Sequence, residues 1–91
     1  MTILGIDLAG KQENPSGIAI LDGNKMKLFT SYSDDEILDL VDEVKPQVIV
    51  IDAHYHFQRV DVVLRRIANV QLEGIFVKLK GIYVNMDEYF P

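Results

Sequence analysis

Val48-Ile49-Val50-Ile51, closed by Asp52, is the most apolar stretch of the chain. Four β-branched residues in a row read as a strand inside a sheet. What precedes them decides the fold. Ser33 and Glu36 stand in the capping-box relation, and Asp34 and Asp35 suit the positive end of a helix dipole. Ile37, Leu38, Leu40, Val41 and Val44 then recur at helical spacing until Lys45-Pro46 stops the run. A strand that follows a helix is expected to lie parallel to an earlier strand, reached by a right-handed crossover. The earlier strand is Thr2-Ile3-Leu4-Gly5-Ile6-Asp7-Leu8-Ala9, so nearly continuous in apolar character that it is expected to be buried on both faces.

The rest of the chain builds outward from this pair. After the polar turn cluster Gly10–Ser16, Gly17-Ile18-Ala19-Ile20-Leu21 reads as a second strand, and Asp22-Gly23 is a hairpin signal. Lys25 to Tyr32 forms a third, completing an antiparallel meander. A second helix is expected from Gln58 to Leu72, with Val60, Val63, Leu64, Ile67 and Ala68 on one face and Gly74 ending it. Ile75 to Leu79 is a last strand, which Gly81 to Asn85 either extends past a kink or folds back upon. The order strand-strand-strand-helix-strand-helix-strand predicts an α/β layer with a mixed sheet. Its first and fourth strands are adjacent and parallel, the meander lies on one flank, and helices 34–45 and 58–72 pack against it.

Ninety-one residues fit one domain, 1–91. Hydrophobic residues make up 48% of the chain, which excludes intrinsic disorder. The absence of cysteine excludes a disulfide scaffold, a thiolate metal site and a cysteine nucleophile. No apolar run approaches the roughly 20 residues of a membrane span, and the N-terminus lacks the features of a signal peptide. A cytoplasmic protein without membrane attachment is the expectation. Fourteen acidic against nine basic side chains give a net charge of −5, which opposes broad binding to nucleic acid and leaves only a local basic patch for it.

Asp7 interrupts an apolar strand and Asp52 ends the most apolar one. Charges there are costly unless paired, protonated or bound to a cation. If the two strands are parallel neighbours, about 4.8 Å apart, both carboxylates reach the sheet edge where α/β folds place ligands, and can share one hard divalent ion. The plainer reading has each aspartate accepting backbone hydrogen bonds at a strand end. In Asp52-Ala53-His54-Tyr55-His56, an extended backbone points Asp52, His54 and His56 the same way, an arrangement suited to zinc, nickel or manganese.

Gly5-Ile6-Asp7-Leu8-Ala9-Gly10, Pro15-Ser16-Gly17-Ile18-Ala19, Val50-Ile51-Asp52-Ala53 and Arg59-Val60-Asp61 with Leu64-Arg65 together resemble the family called domain of unknown function 429, of the ribonuclease H-like fold. The resemblance covers about the first two-thirds of the chain. It implies that Asp7 and Asp52 hold catalytic Mg2+ or Mn2+, with Asp61 as a third and looser candidate. His54 stands where the family has proline. The last helix of the fold, which carries a further carboxylate in active nucleases, is expected to be missing, leaving a minimal version. The pattern Asp7-Leu8-Ala9-Gly10 followed by Gly17 is also similar to the phosphate loop of actin-like and sugar-kinase ATPases, but those need two such domains. A glycine-bearing hairpin is the preferred reading of it.

Arg59, Arg65, Arg66, Lys78 and Lys80 could line a phosphate-contacting face beside the carboxylates. The alternative pairs Asp61 with Arg65 along a helix and lets Lys78 and Lys80 protect a sheet edge. Ile82, Tyr83, Val84, Tyr89 and Phe90 are apolar and close to the missing cover, so a homodimer or higher even oligomer through residues 81–91 is expected. Two functions follow. One is a metal-dependent nuclease or phosphodiesterase using Asp7, Asp52 and Asp61. The other is a non-catalytic binding or assembly module that keeps the fold without a complete site.

Overall fold

In the computed structural model, which describes residues 1–9, 13–52, 57–69, 74–79 and 82–85, the chain forms one mixed sheet and two helices. The elements are β1 (Thr2–Asp7), β2 (Ser16–Asp22), β3 (Lys25–Ser31), α1 (Asp34–Val44), β4 (Val48–Asp52), α2 (Phe57–Ala68), β5 (Ile75–Leu79) and β6 (Ile82–Asn85). Among the described residues the strand order is β3-β2-β1-β4-β5-β6. β1 and β4 are parallel, as are β4 and β5, while the β1–β2, β2–β3 and β5–β6 pairs are antiparallel. A radius of gyration of 12.0 Å is that of a compact chain of this length. No described helix is long and apolar enough to cross a membrane.

Both helices cover the same face of the sheet. Leu4 and Ile6 of β1 stand in register with Ile49 and Ile51 of β4, which in turn pair with Ile75 and Val77 of β5. These six side chains are 0–2% exposed and form one cluster with Ile37 and Val41 of α1 and Val63, Leu64 and Ile67 of α2. The alternation of strand side chains sends Ile3, Gly5 and Asp7, Val48, Val50 and Asp52, and Phe76 and Lys78 to the opposite face. No described residue on that face is buried. The expectation that β1 is buried on both faces is therefore corrected: its continuous apolar run packs on one side only, and Asp7 is exposed.

Local chemistry fixes the element ends. Ser33 caps α1 by accepting the Glu36 backbone N–H at 3.2 Å. The return arm of the capping box reaches one residue further back, where Glu36 Oε2 accepts the Tyr32 N–H at 2.9 Å and the Ser31 hydroxyl at 3.2 Å. Lys45, left-handed at φ 49°, closes the helix by donating its N–H to the Val41 carbonyl at 3.0 Å. Glycine at φ 62° makes Gly23 the first residue of the two-residue β2–β3 turn, where a hairpin needs a positive φ.

Two boundaries differ from expectation. α2 begins at Phe57 and ends at Ala68, short of Leu72. Its last turn tightens as the Asn69 N–H bonds the Arg66 carbonyl at 3.2 Å, three residues back. Gly74 does not cap α2 but opens β5: at φ 76° its carbonyl accepts the Ile49 N–H at 2.6 Å, and a Cβ there would collide with the Gln47 carbonyl. Residues 82–85 fold back as β6, settling the alternative that the sequence left open.

Candidate functional site

Asp7 and Asp52 end their strands in direct register, Asp7↔Asp52, on the face that neither helix covers. The same row runs across all six described strands as Thr30, Gly17, Asp7, Asp52, Lys78 and Tyr83. Parallel neighbours stand about 4.8 Å apart, so the two carboxylates project side by side, with the Lys78 position one strand beyond Asp52. Asp7 is exposed, while Asp52 and Lys78 are half-buried.

The backbone around the pair is held from both sides. The ladder continues one residue past Asp7, where the Leu8 N–H donates to the Asp52 carbonyl at 2.9 Å. The next N–H, that of Ala9, donates to the Ser16 hydroxyl at 3.0 Å, and Ser16 is 2% exposed. Leu8 returns its side chain to the core at 4% exposure. Asp7 is thus paired with strands on both sides and followed by two residues whose backbones are fixed, a condition for holding a carboxylate in one place.

A cleft of about 410 Å³ lies over this end of the face, with Gly5, Gly17 and Ala19 as floor, Leu28 and Val50 as walls, and the two aspartates at its end. It exists because three neighbouring positions lack bulk. Leu28 pairs with Ala19, and Ala19 with Gly5, so one strand's leucine overlooks two small residues. A Cβ at Gly17 would touch the Asp7 Cβ at 3.6 Å, so glycine there leaves one flank of the carboxylate open.

The other candidates fall elsewhere. His54, His56 and Lys80 lie outside the described residues, as do residue 81 and the 86–91 segment of the expected dimer interface. The backbone of Asp61 belongs to α2, in the layer on the other side of the sheet from Asp7 and Asp52. Arg66, also on α2, donates to Asp35 of α1 at 2.6 Å in an exposed ion pair. It ties the helices together and does not reach the carboxylate face. Among the described residues, Lys78 is the cation of this set that lies beside the pair. Its reading as edge protection is corrected, because β6 pairs outside β5 and makes it an interior strand. Among the described residues no group of three His, Asp or Glu side chains is placed to hold a metal ion.

The cleft floor was missed in the sequence. A small residue at every second position, Gly5 in β1 and Gly17 with Ala19 in β2, was the available signal once the two faces were separated. Comparison with known protein families, with curated proteins and with solved structures finds no match to this chain.

Proposed function

We infer that the chain is a ribonuclease H-like domain in which Asp7 and Asp52 hold a divalent cation, magnesium or manganese, for phosphodiester hydrolysis. The observation that carries this reading is the direct register of the two carboxylates on the uncovered face, above an open cleft. The strand order, with β1 and β4 central and parallel, supports it too, since the resemblance implies an aspartate on each of those strands.

The donor set fits the group. Mg2+ takes oxygen ligands and is commonly held by one or two carboxylates, with waters and substrate phosphates completing its shell. Carboxylates on neighbouring strands repel in the absence of a cation and are relieved by one. A bound cation would supply an activated water and charge stabilisation at the phosphate. The chain's own residues do the rest: Asp7 and Asp52 fix the position, Lys78 adds positive charge on the side of Asp52, and the floor of Gly5 and Ala19 admits the ester. His54 and His56, which follow Asp52 in the chain, are the further ligand candidates, whereas Asp61 belongs to the helix on the other side of the sheet.

A second reading, a binding module without catalysis, is favoured by the lack of a third ligand side chain among the described residues. Calorimetric titration of Mn2+ together with hydrolysis of bis(4-nitrophenyl) phosphate separates the two. The nuclease reading expects saturable Mn2+ binding, weakened at least tenfold in Asp7→Asn and in Asp52→Asn, and turnover lost in both variants. Binding without turnover selects the module. Equal Mn2+ affinity in wild type and both variants overturns the site itself.

A further inference from the structure

β3 is the outermost strand on its side of the described sheet, paired with β2 along all seven of its residues and with no strand beyond it. Among the described residues no strand pairs with its outer edge, whose backbone donors and acceptors another extended strand can match residue for residue. Six of its seven side chains are exposed, including Leu28 at 74% and Met26 at 60%, and only Ser31 at its end is buried. It contains no proline and no bulge in its pairing with β2.

We propose that β3 pairs antiparallel with β3 of a second copy across a two-fold axis at Leu28, making one continuous sheet of the two chains. The lysines select this register. An axis perpendicular to the sheet keeps each chain's helices on the same side, so facing residues must come from the same face of the strand. Centring it on Lys25, Met26 or Lys27 sets Lys25 or Lys27 against a lysine of the other copy. Centring it on Phe29 leaves two residues of β3 unmatched. Leu28 as centre matches all seven: Lys25 with Ser31, Met26 with Thr30, Lys27 with Phe29, and Leu28 with its own equivalent.

The facing residues are complementary. Each Lys27 stands opposite a Phe29 of the other copy, where its ammonium can lie over the ring face, a cation–aromatic pair that occurs twice by symmetry. On the open face, the two Leu28 side chains cover each other across the axis. Leu28 is also a wall of the cleft above Asp7, so the second copy buttresses that wall. This surface is separate from β6, at the opposite end of the strand order.

The chain has no cysteine, which makes a single introduced thiol a clean reporter. Directly facing residues of antiparallel strands have Cα atoms about 4.5–5.5 Å apart, inside the span of a disulfide. Leu28→Cys should give a covalent dimer in high yield under mild oxidation at micromolar concentration. Met26→Cys, whose equivalents are displaced by four residues in this register, should give at least tenfold less. Light scattering should find two chains per particle for the wild type and a monomer for Leu28→Lys, which sets two ammonium groups on the axis. A monomeric wild type overturns the proposal. So does a dimer that Leu28→Lys leaves intact, or one in which the two thiol variants cross-link equally. The two latter results leave the 81–91 segment as the interface.

Discussion

Ile51 and Val50 are neighbours in β4, yet they live in different environments. Ile51 is fully buried under the two helices, while Val50 is half-exposed on the other face beside the cleft. The contrast repeats in β1, where Ile6 is 2% exposed and Asp7 is open to water. One face of the sheet is sealed by large aliphatic side chains. The other carries glycine, alanine, two carboxylates and a lysine among partly exposed apolar residues such as Ile3, Val48, Val50 and Phe76. Stability and chemistry are thus assigned to opposite sides of the same strands, so a residue's parity within its strand says more about its role than its position along the chain.

The largest effect is expected where the sealed side depends on backbone placement. Gly74→Ala forces a Cβ into the Gln47 carbonyl at a positive φ, and should cost several kcal/mol, on the order of a large core deletion. Urea unfolding measures it, and a loss below about 1 kcal/mol would mean that β5 does not enter the sheet as described. Next comes the comparison itself. Ile51→Ala should cost about 3–4 kcal/mol, and Val50→Ala about 1 kcal/mol, since Val50 has no helix against it. Equal losses in the two variants would break the distinction between the faces.

Smaller effects sharpen the account of the helical layer. Ser33→Ala removes the acceptor of the Glu36 N–H and should cost about 1 kcal/mol in the same urea assay. A loss within error would show that Glu36 and its bonds to Tyr32 and Ser31 hold the α1 start unaided. The Arg66–Asp35 pair is short but exposed, at 43% and 80%, so Asp35→Ala should change stability by no more than about 0.5 kcal/mol. A larger loss would mean that this bridge, rather than the aliphatic cluster, holds the helices together.

Much of the fold could be read from the residues because the hydrophobic pattern and the stop signals agree. Val48–Ile51 after a capped helix gave the parallel β1–β4 pair, and Asp22-Gly23 gave the β2–β3 turn. The assignment of faces was less legible. Ile3, Leu4, Ile6 and Leu8 crowd β1 with apolar residues of both parities, and a single chain does not say that both helices choose one side. The end of α2 was hidden for another reason: Val70 and Leu72 continue the apolar composition beyond Ala68, where the hydrogen-bond pattern has already tightened. For the site, Asp7 and Asp52 stood out as charges in apolar strands. Gly5 and Ala19 did not, since small residues declare a cleft only when register sets them side by side. Lys78 was noticed but its neighbour was not, because pairing with Asp52 depends on the β4–β5 register.

The claim that the uncovered face holds a cation between Asp7 and Asp52 is tested most directly by paramagnetic broadening of amide resonances with substoichiometric Mn2+. The account predicts selective loss of the Leu8, Ala9, Gly17 and Thr30 signals, with the Val63, Leu64 and Ile67 amides of α2 unaffected and the effect abolished in Asp7→Asn. Broadening centred instead on the acidic first turn of α1, at Asp34, Asp35 and Glu36, or persisting undiminished in Asp7→Asn, would contradict it.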